Sequence, residues 1–144
     1  MKILIFTEGT ILKHPSEEQM DNFESYIPIG NAVEKIKTWK SQGAKICYLT
    51  SRRTEKEIND IQNVLKKYNF PEGELYFRRQ SEEYKDVAER VVPDVLIEDD
   101  CESIGGTPEM TYPHIKEQLK SRIKSIPVKE FGGIDHLPDS IKDL

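Results

Sequence analysis

The chain has 144 residues, 33% of them charged and 36% apolar, with a net charge of −5 at pH 7. That length suits one domain with a buried core, and the acidic balance argues against nucleic-acid partners, which need a basic face. No apolar run approaches the roughly 18–20 residues that cross a bilayer, so no membrane partner is expected, and Glu8 interrupts an N-terminal stretch too short for a signal peptide.

Residues 3–6 are consecutively apolar, the pattern of a strand covered on both faces. Residues 11–29 are polar and irregular, with prolines at 15 and 28, and too few to build a second domain. Asn31 can cap a helix whose Val33, Ile36 and Trp39 share one face and which Gly43 closes. Residues 45–49 read as the second strand. Thr54 and Glu57 have capping-box spacing ahead of Ile58, Ile61, Leu65 and Tyr68. A turn at 71–73 leads to a short third strand at 75–77. Ser81 is expected to open a helix carrying Tyr84, Val87, Ala88 and Val91, and a fourth strand follows at 95–97. Ile115 and Leu119 suggest a further helix, 123–128 a fifth strand, and Ser140 a closing helical turn. Residues 131–138 read as turns, with Phe131 and Leu137 packed under the sheet edge. The alternation predicts an α/β protein with a five-stranded parallel sheet and right-handed crossovers.

In such sheets ligands lie beyond the carboxyl ends of the strands. Three of those ends are polar. Thr7-Glu8-Gly9-Thr10 follows the first strand, and Gly9 permits a sharp turn there. Thr50, Ser51, Arg52 and Arg53 follow the second, where hydroxyls and a helix N-terminus suit an anion. Glu98, Asp99 and Asp100 follow the fourth, and three adjacent acids call for a hard cation such as Mg²⁺. Cys47 reads as core and Cys101 as an inert thiol, in a reduced, cytoplasmic protein. His14, His114 and His136 have no metal or triad spacing.

The strand running into Thr7-Glu8-Gly9-Thr10 resembles the Asp-x-Asp-Gly-Thr signature of the haloacid dehalogenase-like (HAD) phosphohydrolases. In that family the first Asp attacks phosphorus and the second handles the proton. Gly9 and Thr10 match, Glu8 falls on the second acid, and Phe6 stands at the nucleophile position. A register one residue later puts Thr7 there, with Glu8 as its base. The resemblance implies that Thr50 or Ser51, with Arg52, contacts a phosphoryl group. It puts Lys85 at the family's charge-steadying lysine and assigns Mg²⁺, weakly held, to Glu8, Asp99 and Asp100. Ser103 stands where many members place another acid. The implied fold is one Rossmann-like, three-layer α/β/α domain over 1–144 with no cap domain, the first strand central and the second and fourth flanking it. Without a cap, the site would accept large substrates or be covered by another subunit.

Each assignment has a plainer counterpart. Glu8 could be a solvated turn carboxylate, Asp99 and Asp100 a capping pair, Thr50 and Ser51 helix caps, Arg52 and Arg53 an exposed helix start, and Lys85 a surface lysine. Three functions remain open at this point. The chain is a phosphatase-fold protein that has lost its nucleophile and binds a phosphorylated small molecule or protein. Alternatively it is an active Mg²⁺-dependent hydrolase using Glu8 or Thr7, or a scaffold with no site.

Overall fold

The computed structural model describes residues 1–144. β1 (Lys2–Phe6) leads into a two-stranded antiparallel ribbon of β2 (Leu12–Lys13) and β3 (Ile27–Pro28). There follow α1 (Ala32–Ser41), β4 (Lys45–Leu49), α2 (Glu55–Lys67), β5 (Glu74–Tyr76), α3 (Tyr84–Val91), β6 (Val95–Asp99), α4 (Glu117–Lys120) and β7 (Lys124–Val128). The main sheet is parallel throughout and ordered β5-β4-β1-β6-β7, so β1 is central. Ile3 pairs with Ile46 on one side and Val95 on the other. No helix is long and apolar enough to cross a membrane.

Successive strand residues point to opposite faces, and the core divides accordingly. Ile3 and Ile5 join Ile36 and Trp39 of α1 and Ile61 and Leu65 of α2 in the larger cluster. Leu4 and Phe6 join Val87, Ala88 and Val91 of α3, with Ile115 and Ile123, on the other face. This is a three-layer α/β/α arrangement. A strand covered on both sides needs an unbroken apolar run, which residues 3–6 supply.

Several local expectations are corrected. The 11–29 segment is less irregular than its polarity suggests, because Ile11, Leu12, Phe23, Tyr26 and Ile29 are buried and anchor the ribbon. α3 begins at Tyr84 rather than Ser81. Ser81 has a φ of +70°, outside the helical region, and the Glu83 N–H is capped by Asp86 at 2.8 Å. β6 continues two residues past its expected end, through Asp99. The helix after it is a single turn, since residues 102–114 form three short 3₁₀ turns, the first two separated by Gly105-Gly106 and the last two carrying Pro108 and Pro113 in their first turn. Phe131 is exposed instead of packed under the sheet, while Leu137 does pack against the larger cluster.

The segment around Leu137 lies along α1. The Trp39 indole donates to the Pro138 carbonyl at 2.9 Å, Lys35 Nζ donates to the Leu137 carbonyl at 2.6 Å, and Ile134 is fully buried.

Candidate functional site

The parallel order brings the ends of β1, β4, β5 and β6 to one rim. There the chain leaves β1 in a tight turn, with Ile11 and Leu12 N–H groups both bonded to the Thr7 carbonyl. Gly9 makes this turn possible: its φ is +87°, and a Cβ there would lie 2.9 Å from Asp99 Oδ1. Gly9→Ala is therefore expected to cost about 1–3 kcal/mol in urea denaturation. An unchanged midpoint would show that Asp99 yields freely.

Glu8 follows Thr7 out of β1 and reaches across to the end of β4. Its Oε1 accepts from Thr50 Oγ1 at 2.7 Å, Ser51 N at 2.9 Å and Ser51 Oγ at 2.7 Å. Oε2 accepts from Thr50 Oγ1 at 3.0 Å and also meets the Thr7 hydroxyl, which is itself fully buried and directed at the Leu49 carbonyl. Arg52 Nε is 3.9 Å from Oε1 and donates to Ser51 Oγ at 3.2 Å. Its guanidinium lies over the Phe23 ring at 4.4 Å. Thr50, Ser51 and Arg52 are thus gathered as the sequence suggests, around a carboxylate of the chain itself.

The acids at β6 diverge, because neighbours in a strand face opposite ways. Glu98, 2% exposed, accepts from the Thr111 and Tyr112 N–H groups at 2.7 and 3.0 Å and so pins the irregular loop. Asp99 accepts from Thr10 Oγ1 at 2.9 Å and from Cys101 N at 3.2 Å. Asp100 Oδ1 accepts from the Glu102 and Glu130 N–H groups. Glu8, Asp99 and Asp100 each serve a different set of donors, and no three His, Cys, Asp or Glu side chains are grouped as for a metal ion.

Burial raises the Glu98 carboxyl above the ordinary range, against the pull of the Thr111 and Tyr112 N–H groups. Burial likewise raises Asp99, against the Thr10 hydroxyl and the Cys101 N–H. A carboxyl raised on folding contributes stability that is fully present below its unfolded pKa and is lost as pH rises through the folded one. Their share of stability is therefore expected to grow as pH falls from neutral toward about 5. Urea midpoints across that window should rise less in Glu98→Gln than in wild type; parallel curves would remove Glu98 from the account. The Cys101 thiol is pushed up to about 12 by burial and by Asp99 and Glu98, which makes it inert at neutral pH.

Phe6 occupies the end of β1 with 8% exposure, its ring edge-on to Tyr84 at a centroid distance of 4.9 Å. Both line a cleft of about 310 Å³ together with Glu8, Ser51, Arg78 and Asp99. Lys85 stands apart, partly exposed on the first turn of α3 and 3.2 Å from Asp86. It lines a neighbouring cavity of about 350 Å³ with Arg53, Arg78 and His114.

Arg78 lies between these two spaces and was not anticipated. Its guanidinium stacks on Tyr84 at 4.1 Å and donates to the Ser51 carbonyl at 2.9 Å, while its buried Nε has no partner. Burial, with Arg53 and Arg52 nearby, pulls its pKa below the usual guanidinium value. The rim rule applied to the third strand points to it, since β5 ends at Tyr76 and Arg78 lies two residues on.

No protein-family model and no curated protein matches the sequence. Among solved structures, the chain is similar to one in the Pnkp1/Rnl/Hen1 RNA repair complex, with 13% identity and a TM-score of 0.63 over 89% of this chain and 43% of that one. It thus spans less than half of that chain's length. It is also similar to the D,D-heptose 1,7-bisphosphate phosphatase from Burkholderia thailandensis, with 10% identity and a TM-score of 0.53 over 91% of this chain and 93% of that one. The B. bronchiseptica phosphatase of the same name, complexed with magnesium and phosphate, gives 11% identity and a TM-score of 0.52 over 92% and 94%. At these identities the likeness concerns the fold, which is the HAD-like α/β fold.

Proposed function

We propose that this chain is a non-hydrolysing protein of the HAD-like fold, which binds a phosphorylated small molecule or protein without turning it over. The observation that carries this reading is Phe6 at the end of the central strand, packed on Tyr84. An aromatic ring can neither accept a phosphoryl group nor ligate a metal, and the covalent route needs a nucleophile. The acids fit Mg²⁺ poorly, because Glu8 is held by Thr50 and Ser51, and Asp99 and Asp100 by other donors. Divalent-cation binding is accordingly weak.

Charge for a phosphoryl group comes instead from Arg53, Arg78 and Lys85 around the larger cavity. A guanidinium clamped on a tyrosine ring is oriented before a ligand arrives, which lowers the ordering cost of binding. Residues 11–29 form a short ribbon and two 3₁₀ turns, too little chain for a cap domain, which on this reading leaves the rim open to large ligands.

The Thr7–Glu8 contact favours a second reading, a hydrolase with a hydroxyl nucleophile beside a base. The complete burial of Thr7 weighs against it, since an attacking oxygen must meet the substrate.

Calorimetry against a panel of phosphorylated small molecules and phosphopeptides tests the proposal. Saturable binding that Arg78→Ala abolishes, with no phosphate released, is the expected result. Failure to bind any member of the panel, or Mg²⁺-dependent release of phosphate, overturns it.

A further inference from the structure

The partners of Glu8 are the donors a tetrahedral oxyanion uses at a strand end. They are one backbone N–H, two hydroxyls and a nearby guanidinium, just ahead of the N-terminus of the thirteen-residue helix α2. We propose that the Thr50–Ser51 turn is an oxyanion site kept filled by the chain's own Glu8, so that Glu8 is an intramolecular ligand that an incoming phosphoryl or sulfuryl group must displace.

Donor counting supports this. The Thr50 hydroxyl, the Ser51 hydroxyl and the Ser51 N–H can each give one proton, and all three bond to Glu8. Arg52 is committed to Ser51 Oγ and to the Phe23 ring. A second anion at the turn would find only the outer guanidinium N–H groups of Arg52 and would face the Glu8 charge at close range. Chain length adds to the argument. Glu8 starts from the turn after β1 and ends on β4, and an aspartate would stop one methylene short of these donors.

Tethering sets the strength of the block. A group held on the same chain competes at an effective concentration in the millimolar range or above, so free phosphate at similar concentration gains little against it. Displacement has somewhere to go, because the cleft of about 310 Å³ opens beside both Glu8 and Ser51 and is flanked by Arg78. The geometry of the turn carries this inference by itself. It holds whether or not the natural ligand is phosphorylated.

The experiment titrates inorganic phosphate, and separately sulfate, into ¹⁵N-labelled protein and follows the Ser51 amide resonance. In wild type that resonance should show no saturable shift. In Glu8→Ala it should shift saturably, with an apparent affinity at least about tenfold tighter than any wild-type response. Adding Ser51→Ala to the Glu8→Ala background should remove the response, read there by calorimetry. A Glu8→Ala protein whose Ser51 amide ignores phosphate overturns the proposal, as does a wild type that binds at Ser51 equally well. Should the alanine variant not fold, Glu8→Gln keeps the side-chain volume and removes the charge. It should yield to phosphate at a lower concentration than wild type, and behaviour indistinguishable from wild type would also overturn the proposal. Because the probe is inorganic phosphate read at Ser51, this outcome is independent of whether the phosphorylated panel binds near Arg78.

Discussion

Wild-type protein is expected to release essentially no phosphate from generic phosphomonoesters in the presence of Mg²⁺. Removing the nucleophile from a covalent mechanism costs on the order of 10⁴–10⁶-fold in rate, and on the proposed reading Phe6 stands where that nucleophile would be. Restoring a carboxylate alone should not be enough. In Phe6→Asp the Thr50–Ser51 turn still holds Glu8, so a phosphoryl group approaching the new carboxylate finds its oxyanion donors taken. Phe6→Asp combined with Glu8→Asp shortens the competing acid and places two carboxylates at the end of β1. That double variant should bind Mg²⁺ measurably tighter than wild type by calorimetry, and Phe6→Asp should fall between. Equal Mg²⁺ affinity across all three proteins would mean that the rim is not a remnant of a metal site. Wild-type turnover that Thr7→Ala or Glu8→Gln abolishes would return the chain to the hydrolases.

The largest stability effect is expected at Trp39. Its side chain is fully buried in the larger cluster between α1 and the sheet, and its indole N–H holds the Pro138 carbonyl. Trp→Ala in a core costs about 3–5 kcal/mol, and the carbonyl left without a donor adds about 1 kcal/mol. A domain of this size is stable by only about 5–15 kcal/mol, so Trp39→Ala should be close to unfolded at physiological temperature. Trp39→Phe keeps most of the volume and should lose only about 1–2 kcal/mol, chiefly the hydrogen bond and some packing. Equilibrium urea curves on the two variants separate these contributions. A Phe variant as unstable as the Ala variant would mean that the bond to Pro138 carries the effect.

Much of the fold is legible in residues 3–6, 45–49 and 95–97, because apolar runs this short are too brief for buried helices and suit strands covered on both faces. Placing the first strand at the centre then follows from the need to bring its Gly-Thr turn beside the hydroxyls at 50–51 and the acids at 98–100. Helix boundaries were less legible. Ser81 is the cap that residue type favours over Glu83, and what excludes it is a left-handed backbone that serine does not signal. The site was legible in its ingredients but not in its wiring. Thr50, Ser51 and Arg52 meet Glu8 because one extra methylene lets that carboxylate cross the rim, a consequence of length and rotamer. Glu98 shows the opposite case. Period-two alternation after Ile97 already implied that it would point away from Asp99, but the expected strand stopped two residues early and hid the implication.

The position of β1 has a consequence for how the protein is made. Its partners come late, with Ile46 and Val95 both downstream of Ile3, so both ladders of the central strand close across long stretches of chain. Pairings of this kind are slow, since loop-closure entropy is lost before the contact rewards it. As the polypeptide leaves the ribosome, Ile3-Leu4-Ile5-Phe6 is apolar, rich in β-branched residues and unpaired until β4 and then β6 have been synthesised. Such a segment is a starting point for aggregation while it waits. The charges that border it, Lys2 before the run and Glu8 just beyond, break its tendency to stack with copies of itself. A carboxylate that ends the folding process bound to Thr50 and Ser51 thus begins it as a guard on the nascent chain.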